Sequence, residues 1–418
     1  MRRRVAGNLF WMLAERGIQV TAGIGIVAML ARALGPEGFA HFQYAQAVVL
    51  IAASVALICG GEVVVPRLVA TPSPQAQHRL LAHAFSLRIG GAVLGYLLMC
   101  GYLLLQRPAA ETWAAALLLG IAILLREPFG IVVAWMQAHT NNRPNTLFSL
   151  ASLAVKAGLV AALFAAGTHS VPGFAGAFAA ETVILAGLLA LYYLTHAERG
   201  PLRYDFGLTR ELMRNGALFW VSFMLMMGAR RIDQLVLQPA VTLADFGAYA
   251  ACMQILDNYT VVATILAAGV APIYVYGKAE FATARANIAR IAIGMTAIGL
   301  CGAILIAIGA PWIVQLLYGH AFSSSASLLR AAALSSTLIF ADVGLTLLPV
   351  YLRRPEWIAI KWGVVFGVTL AFDLVTVPAY GAWGAVGGYT AGNAVAVAFG
   401  LWLWWRSRKA PALAASSS

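Results

Sequence analysis

The side chains best placed to do chemistry in this sequence are basic residues lodged inside long apolar runs. Arg126, Lys156 and Arg230 stand near the middle of such runs, Arg231 adjoins Arg230, and Arg16 and Arg88 lie about a third of the way in. If the runs cross a lipid bilayer, each exposed charge costs roughly 3 kcal/mol or more, so these residues should face a cavity or a partner. Guanidinium and ammonium groups donate to phosphate oxygens. A graded series from one membrane face to the midplane would suit an anionic pyrophosphate group. Acids are equally deep: Glu127, Glu181, Asp233, Asp257 and Asp342, with Glu62 directly after Gly60-Gly61. They can neutralise the bases or bind a proton or sodium ion, and both readings stay open. Arg230 and Asp233, three apart, can pair on one helix face. Arg126 and Glu127 diverge by about 100° around a helix, so each needs its own partner. Arg32, Arg330 and Lys361 lie near run ends, where a long side chain can reach the headgroups.

Other chemistries lack their residues. The position five before Gly277-Lys278 is Pro272, so no phosphate-cradling GxxxxGK[ST] loop forms, and HExxH, GxSxG and DxD are absent. The histidines (41, 78, 83, 139, 169, 196 and 320) sit mostly at run edges without metal-ligand spacing, and no metal or cofactor is expected. Cys59, Cys100, Cys252 and Cys301 lie inside apolar runs and read as small packing residues. The sequence therefore reads as a non-enzyme.

The elements that hold these charges follow from composition. Of 418 residues, 61% are hydrophobic and 11% charged, and the mean hydropathy is +0.82. A soluble domain carries about 25% charged residues, so the apolar excess must face lipid. Runs of about 20 apolar residues predict an all-α polytopic membrane protein with about twelve spans. They fall near 8–34, 40–66, 82–105, 112–138, 146–168, 171–195, 215–239, 245–275, 284–309, 325–352, 356–378 and 383–405. Pro128 is expected to kink the fourth span. The longest loop on the less basic side, about Gly309 to Ser325, should be short. Met1-Arg2-Arg3-Arg4 mimics a signal peptide, but the following run contains Glu15 and Arg16 and reads as the first span.

Charge between the runs is one-sided. Arg2, Arg3, Arg4, Arg67, Arg79, Arg143, the arginines of 199–214, Lys278, Arg285, Arg290, Arg353, Arg354, Arg406, Arg408 and Lys409 fall on one side. The other carries Arg107, and Arg32 if the first span ends early. The positive-inside rule then predicts both termini in the cytoplasm. The net charge of +12 is explained by such loops beside anionic lipid headgroups, without the clustering that nucleic acid requires.

Leu9-Phe10-Trp11 and Leu218-Phe219-Trp220 open the first and seventh spans. Gly38-Phe39-Ala40-His41-Phe42 and Asp245-Phe246-Gly247-Ala248-Tyr249 open the second and eighth at nearly the same offset, about half the chain. This predicts two parallel six-helix repeats, 1–196 and 215–405, joined by a linker at 197–214 and followed by a disordered tail at 406–418. Transporters built from such repeats place their substrate path between the halves.

Several stretches carry a resemblance in the same order along the chain. Leu30-Ala31-Arg32-Ala33-Leu34-Gly35-Pro36-Glu37-Gly38-Phe39, Arg231-Ile232-Asp233, Ala244-Asp245-Phe246-Gly247-Ala248-Tyr249-Ala250, Leu317-Tyr318-Gly319-His320-Ala321-Phe322 and Tyr380-Gly381-Ala382-Trp383-Gly384-Ala385 resemble segments of the Wzx-type polysaccharide-transport flippases of the MOP superfamily. His41 and Phe42 depart from the family pattern. The resemblance implies two six-helix lobes in a V, a central cationic cavity and ion-coupled alternating access. The cargo it implies is an undecaprenyl-pyrophosphate-linked saccharide, an O-antigen, capsule or exopolysaccharide unit, crossing the inner membrane from the cytoplasmic to the periplasmic leaflet. A polysaccharide polymerase or export complex would be a partner. Arg231 and Asp233 are the site residues carried by a matched motif. The rival reading is an ion-coupled small-molecule exporter of the same superfamily, which should show an acid-dominated deep site.

Overall fold

The computed structural model describes residues 2–198, 200–201, 204–277 and 280–407, with side chains from Gly17 onward. Among these residues every regular element is a helix: α1 (Arg2–Ala56), α2 (Gly61–Ala70), α3 (Pro74–Gln106), α4 (Ala110–Leu119), α5 (Ile121–Ala138), α6 (Arg143–Ala165), α7 (Val171–His196), α8 (Phe206–Leu237), α9 (Leu243–Ala271), α10 (Phe281–Tyr318), α11 (Ser325–Tyr351), α12 (Pro355–Tyr380) and α13 (Ala382–Arg406).

Eleven described helical stretches are long and apolar enough to cross a membrane, and the first, Gly17–Ala70, has 54 residues. At about 1.5 Å per residue it measures ~80 Å, more than twice a bilayer's ~30 Å core, so it supplies two crossings. The break is at Gly35, whose backbone (φ 65, ψ 179) only glycine adopts freely, followed by Pro36 at the head of the next helix. The His169 ring bonds Ala33 O, and His41 Nδ1 lies 2.8 Å from Thr112 Oγ1. Gly35 is thus level with the turns joining α3 to α4 and α6 to α7, and the expected twelve crossings are accounted for.

Lipid exposure is written into individual helices. On α3 the buried face is Arg88, Ala92, Gly95, Met99 and Leu103, at helical spacing. Its opposite face, Val93, Leu94, Leu97, Leu98, Leu104 and Leu105, is exposed and also apolar. In water that face would be polar; here it meets acyl chains. Small residues let helices approach: a Cβ on Gly95 would lie 2.5 Å from Ala52 O.

Three details depart from the sequence expectation. The fourth span is divided into α4 and α5 by a turn at Gly120, against Tyr96 and Met99, a break the sequence did not suggest. The region expected as a loop after Gly309 is helical: α10 continues through Pro311 to Tyr318, leaving only a short turn before α11. A proline inside a helix removes one i→i−4 hydrogen bond but need not end the helix. The eighth helix begins at Phe206, its first amides capped by Asp205 Oδ1.

The chain divides into two compact units, Met1–Met227 and Gly228–Ser418, with the boundary inside α8. The first holds a core of Val64, Leu68, Leu81, Met136 and Leu212 where α2, α3, α5 and α8 meet. The second centres on α11, which packs on α9, α10 and α13 around Ile288, Phe340, Leu348 and Leu403. The aromatic residues of the two similar segments, Phe39 and Phe42 in one unit and Phe246 and Tyr249 in the other, are all essentially fully buried.

Candidate functional site

In the first unit the face of α3 that presses Gly95 onto α1 delivers Arg88, two turns away, to the broken end of α1. Arg88 is 5% exposed. Its Nη2 donates to Cys59 O at 3.3 Å and its Nη1 to Glu127 O at 2.8 Å. Cys59 has a left-handed backbone (φ 56) in the gap between α1 and α2. The guanidinium therefore satisfies a carbonyl that the helix break leaves without an amide. Gly130 leaves it room, since a Cβ there would lie 3.2 Å from Nη1. Glu62, exposed, and Glu127, half-buried, lie within electrostatic reach of this cation.

Arg126, beside Glu127, is exposed and makes no hydrogen bond or ion pair with the described residues. Lys156 is different: its Nζ lies 2.7 Å from Glu181 Oε2, tying α6 to α7, and 4.8 Å from the centre of the Phe178 ring. The side chain of Arg16 falls outside those described.

The second unit holds the denser group. Arg231 Nη2 donates to Asp257 Oδ2 at 2.6 Å, linking α8 to α9. Asp233, 5% exposed, accepts the Tyr249 hydroxyl on Oδ2, while its Oδ1 has no hydrogen-bond partner. The Arg230–Asp233 pairing that the spacing allowed does not form: α9 supplies Tyr249 to Asp233 and Asp257 to Arg231. Arg230 is exposed and unpaired among the described residues, at a cavity lined also by Arg231, Asp233, Asp257, Thr369 and Tyr389. Its volume, about 40 Å³, holds an ion or a few waters and no sugar.

Lys361, near a run end and expected to reach headgroups, is instead buried: Nζ lies 2.9 Å from both Asp342 oxygens and 2.8 Å from Thr346 Oγ1. Asp342 on α11 lies within reach of α12, so the ammonium turns inward.

Charge depth alone missed Asp373. It is fully buried on α12, one turn beyond the cavity-lining Thr369, with neither carboxylate oxygen hydrogen-bonded and Asp233 within electrostatic reach. The residue opposite explains how it fits: a Cβ on Gly388 of α13 would lie 1.8 Å from Asp373 Oδ1. The sequence signal was an Asp in an apolar helix whose neighbour carries Gly384, Gly388 and Gly392, one small residue per turn.

Among the described residues the arrangement therefore contains two guanidinium groups without an ion pair, Arg126 and Arg230, and three partnerless carboxylate oxygens in the second unit, one on the cavity-lining Asp233 and two on Asp373. Residues 5–273 match the family described as "Polysaccharide biosynthesis protein". The chain belongs to that family. Solved structures similar to this family member show its fold to be that of MOP-superfamily transporters. An inward-facing multidrug resistance MATE family transporter has a TM-score of 0.77 at 15% identity, with 98% of this chain and 100% of that one covered. The lipid II flippase MurJ, inward closed, gives 0.68 at 12% identity, covering 94% and 86%. A mutant of the Vibrio cholerae MATE transporter VcmN gives 0.63 at 13% identity, covering 98% and 99%. No curated protein matches the chain. This polysaccharide biosynthesis family member is thus a multi-pass membrane protein of the MOP transporter fold.

Proposed function

We propose that the protein is a flippase moving an undecaprenyl-pyrophosphate-linked saccharide from the cytoplasmic to the periplasmic leaflet of the inner membrane. Its termini are cytoplasmic, and residues 1–196 and 215–405 act as six-helix repeats. Arg126 and Arg230 each meet the pyrophosphate in the course of the cycle. The observation that carries this reading is that, among the described residues, neither guanidinium forms a hydrogen bond or a close ion pair with a carboxylate. Each stays available to an anion, whereas Arg88 is committed to backbone carbonyls and Lys156 and Arg231 to Glu181 and Asp257.

The transport step is driven by a coupling cation, a proton or sodium ion, held by Asp233 and Asp373. Two buried carboxylates with three unpartnered oxygens repel one another until a cation binds. The first unit has no equivalent: Phe42, the counterpart of Tyr249 in the repeat, offers no hydroxyl and packs edge-on against Phe178.

The test is complementation of a strain lacking the protein. Arg126→Ala and Arg230→Ala, each inserted normally, should abolish surface polysaccharide and leave lipid-linked saccharide on the cytoplasmic leaflet; Lys at either position should restore part of the export. Normal export by both alanine variants overturns the reading. Loss of resistance to small organic cations, with polysaccharide intact, would instead indicate an exporter.

A further inference from the structure

At the ends of α3, α5 and α7 on the basic side, the first unit contains a second cavity, of about 310 Å³, within the usual range of small-ligand pockets. It is lined by residues that the sequence scatters over more than a hundred positions, including His78, Trp135, His139, Asn141, Tyr192 and His196. Trp and Tyr at span ends ordinarily form a belt toward the lipid headgroups. Here they face one another. The Trp135 ring is T-shaped to Tyr193 (5.4 Å, 85°) and to Tyr192 (6.4 Å, 61°), and His196 stacks on Tyr192 at 4.1 Å.

The polar atoms are arranged consistently. His139 Nδ1 bonds Trp135 O at 2.9 Å, and His196 Nδ1 bonds Tyr192 O at 3.0 Å. A carbonyl accepts only, so each ring donates from Nδ1, which in the uncharged tautomer leaves Nε2 as an acceptor. Asn141 Nδ2 donates to Tyr192 Oη at 3.4 Å, and the Trp135 indole N–H has no partner among the described residues. The lining thus offers aromatic faces, acceptors and a donor. Among the described residues its lining contains no Lys or Arg, and Glu198 is the one carboxylate. A phosphate, a nucleotide or another anion would find no Lys or Arg counter-charge among those residues. A ring with hydroxyls around its edge and C–H bonds on its face would find partners for both.

We infer that this cavity binds an uncharged pyranose ring, the saccharide portion of the cargo, stacked on Trp135 and held by His139, His196 and Asn141 while the pyrophosphate is engaged elsewhere. The inference rests on the saccharide being the cargo. It adds a site for the sugar at the membrane surface, apart from the deep arginines.

The experiment is saturation-transfer NMR on the full-length protein in nanodiscs, with methyl glucoside, galactoside, mannoside and N-acetylglucosaminide as probes. At least one should show transfer to its ring C–H protons, about tenfold weakened in Trp135→Ala and retained in Trp135→Phe. His196→Ala, at an exposed position that folding tolerates, should weaken binding as well. Arg230→Ala should leave pyranoside binding unchanged, which separates this site from the deep one. No transfer from any probe, or equal transfer in wild type and Trp135→Ala, overturns the inference even if the flippase reading stands. A uridine diphosphate hexose that binds more tightly than every methyl glycoside would overturn the assignment to a lipid-linked sugar. Displacement by tetramethylammonium with no pyranoside signal would make the pocket a cation cage and overturn it too.

Discussion

Lys156 and Glu181, two charges on neighbouring helices, meet at 2.7 Å with side chains only 13% and 15% exposed. Neither has water to fall back on. Removing one partner strands the other, which costs about 3–5 kcal/mol, whereas replacing both with apolar groups is often neutral. Lys156→Ala should therefore lower thermal stability in detergent sharply, and Lys156→Met with Glu181→Leu should restore it. Polysaccharide export should follow stability across the three proteins. A stable double variant that exports nothing would show that Lys156 meets the cargo.

Arg88 makes two charge-assisted bonds to carbonyls and no ion pair within 4 Å. Such bonds are worth about 1.5–3 kcal/mol each. Arg88→Ala should destabilise the protein by about 3 kcal/mol in thermal or denaturant unfolding, and Arg88→Lys should recover at most part of that, because one ammonium cannot fork between the broken end of α1 and α5.

Asp373 is buried with both oxygens unpartnered, so its charge is a cost unless a cation is present. Asp373→Asn should raise the thermal stability of the cation-free protein while uncoupling transport: flipping in reconstituted vesicles should no longer respond to an imposed proton or sodium gradient. Retained gradient dependence would remove Asp373 from the coupling step.

Gly388 and Gly367 form a matched pair of substitutions. A Cβ at Gly388 would lie 1.8 Å from Asp373 Oδ1, while at Gly367 it would meet nothing within 4 Å. Gly388→Ala should separate α12 from α13 and abolish transport. Gly367→Ala should leave transport intact and be neutral or stabilising by up to about 1 kcal/mol. Transport measured for both variants, normalised to the amount inserted, decides it.

The number of crossings, the one-sided basic charge and the family segments were all legible in the chain itself, because each is local: twenty consecutive residues decide whether a stretch suits lipid. That Arg126, Lys156, Arg230 and Asp233 lie inside long apolar helices was legible for the same reason. What each charge does was not. Arg231 meets Asp257 rather than any neighbour in sequence, Lys361 turns inward to Asp342, and Asp373 fits because Gly388 has no side chain. A membrane helix is apolar on every side, so its sequence does not announce which face turns inward. That rotation, and with it every partner, is settled only when helices distant in the chain pack together.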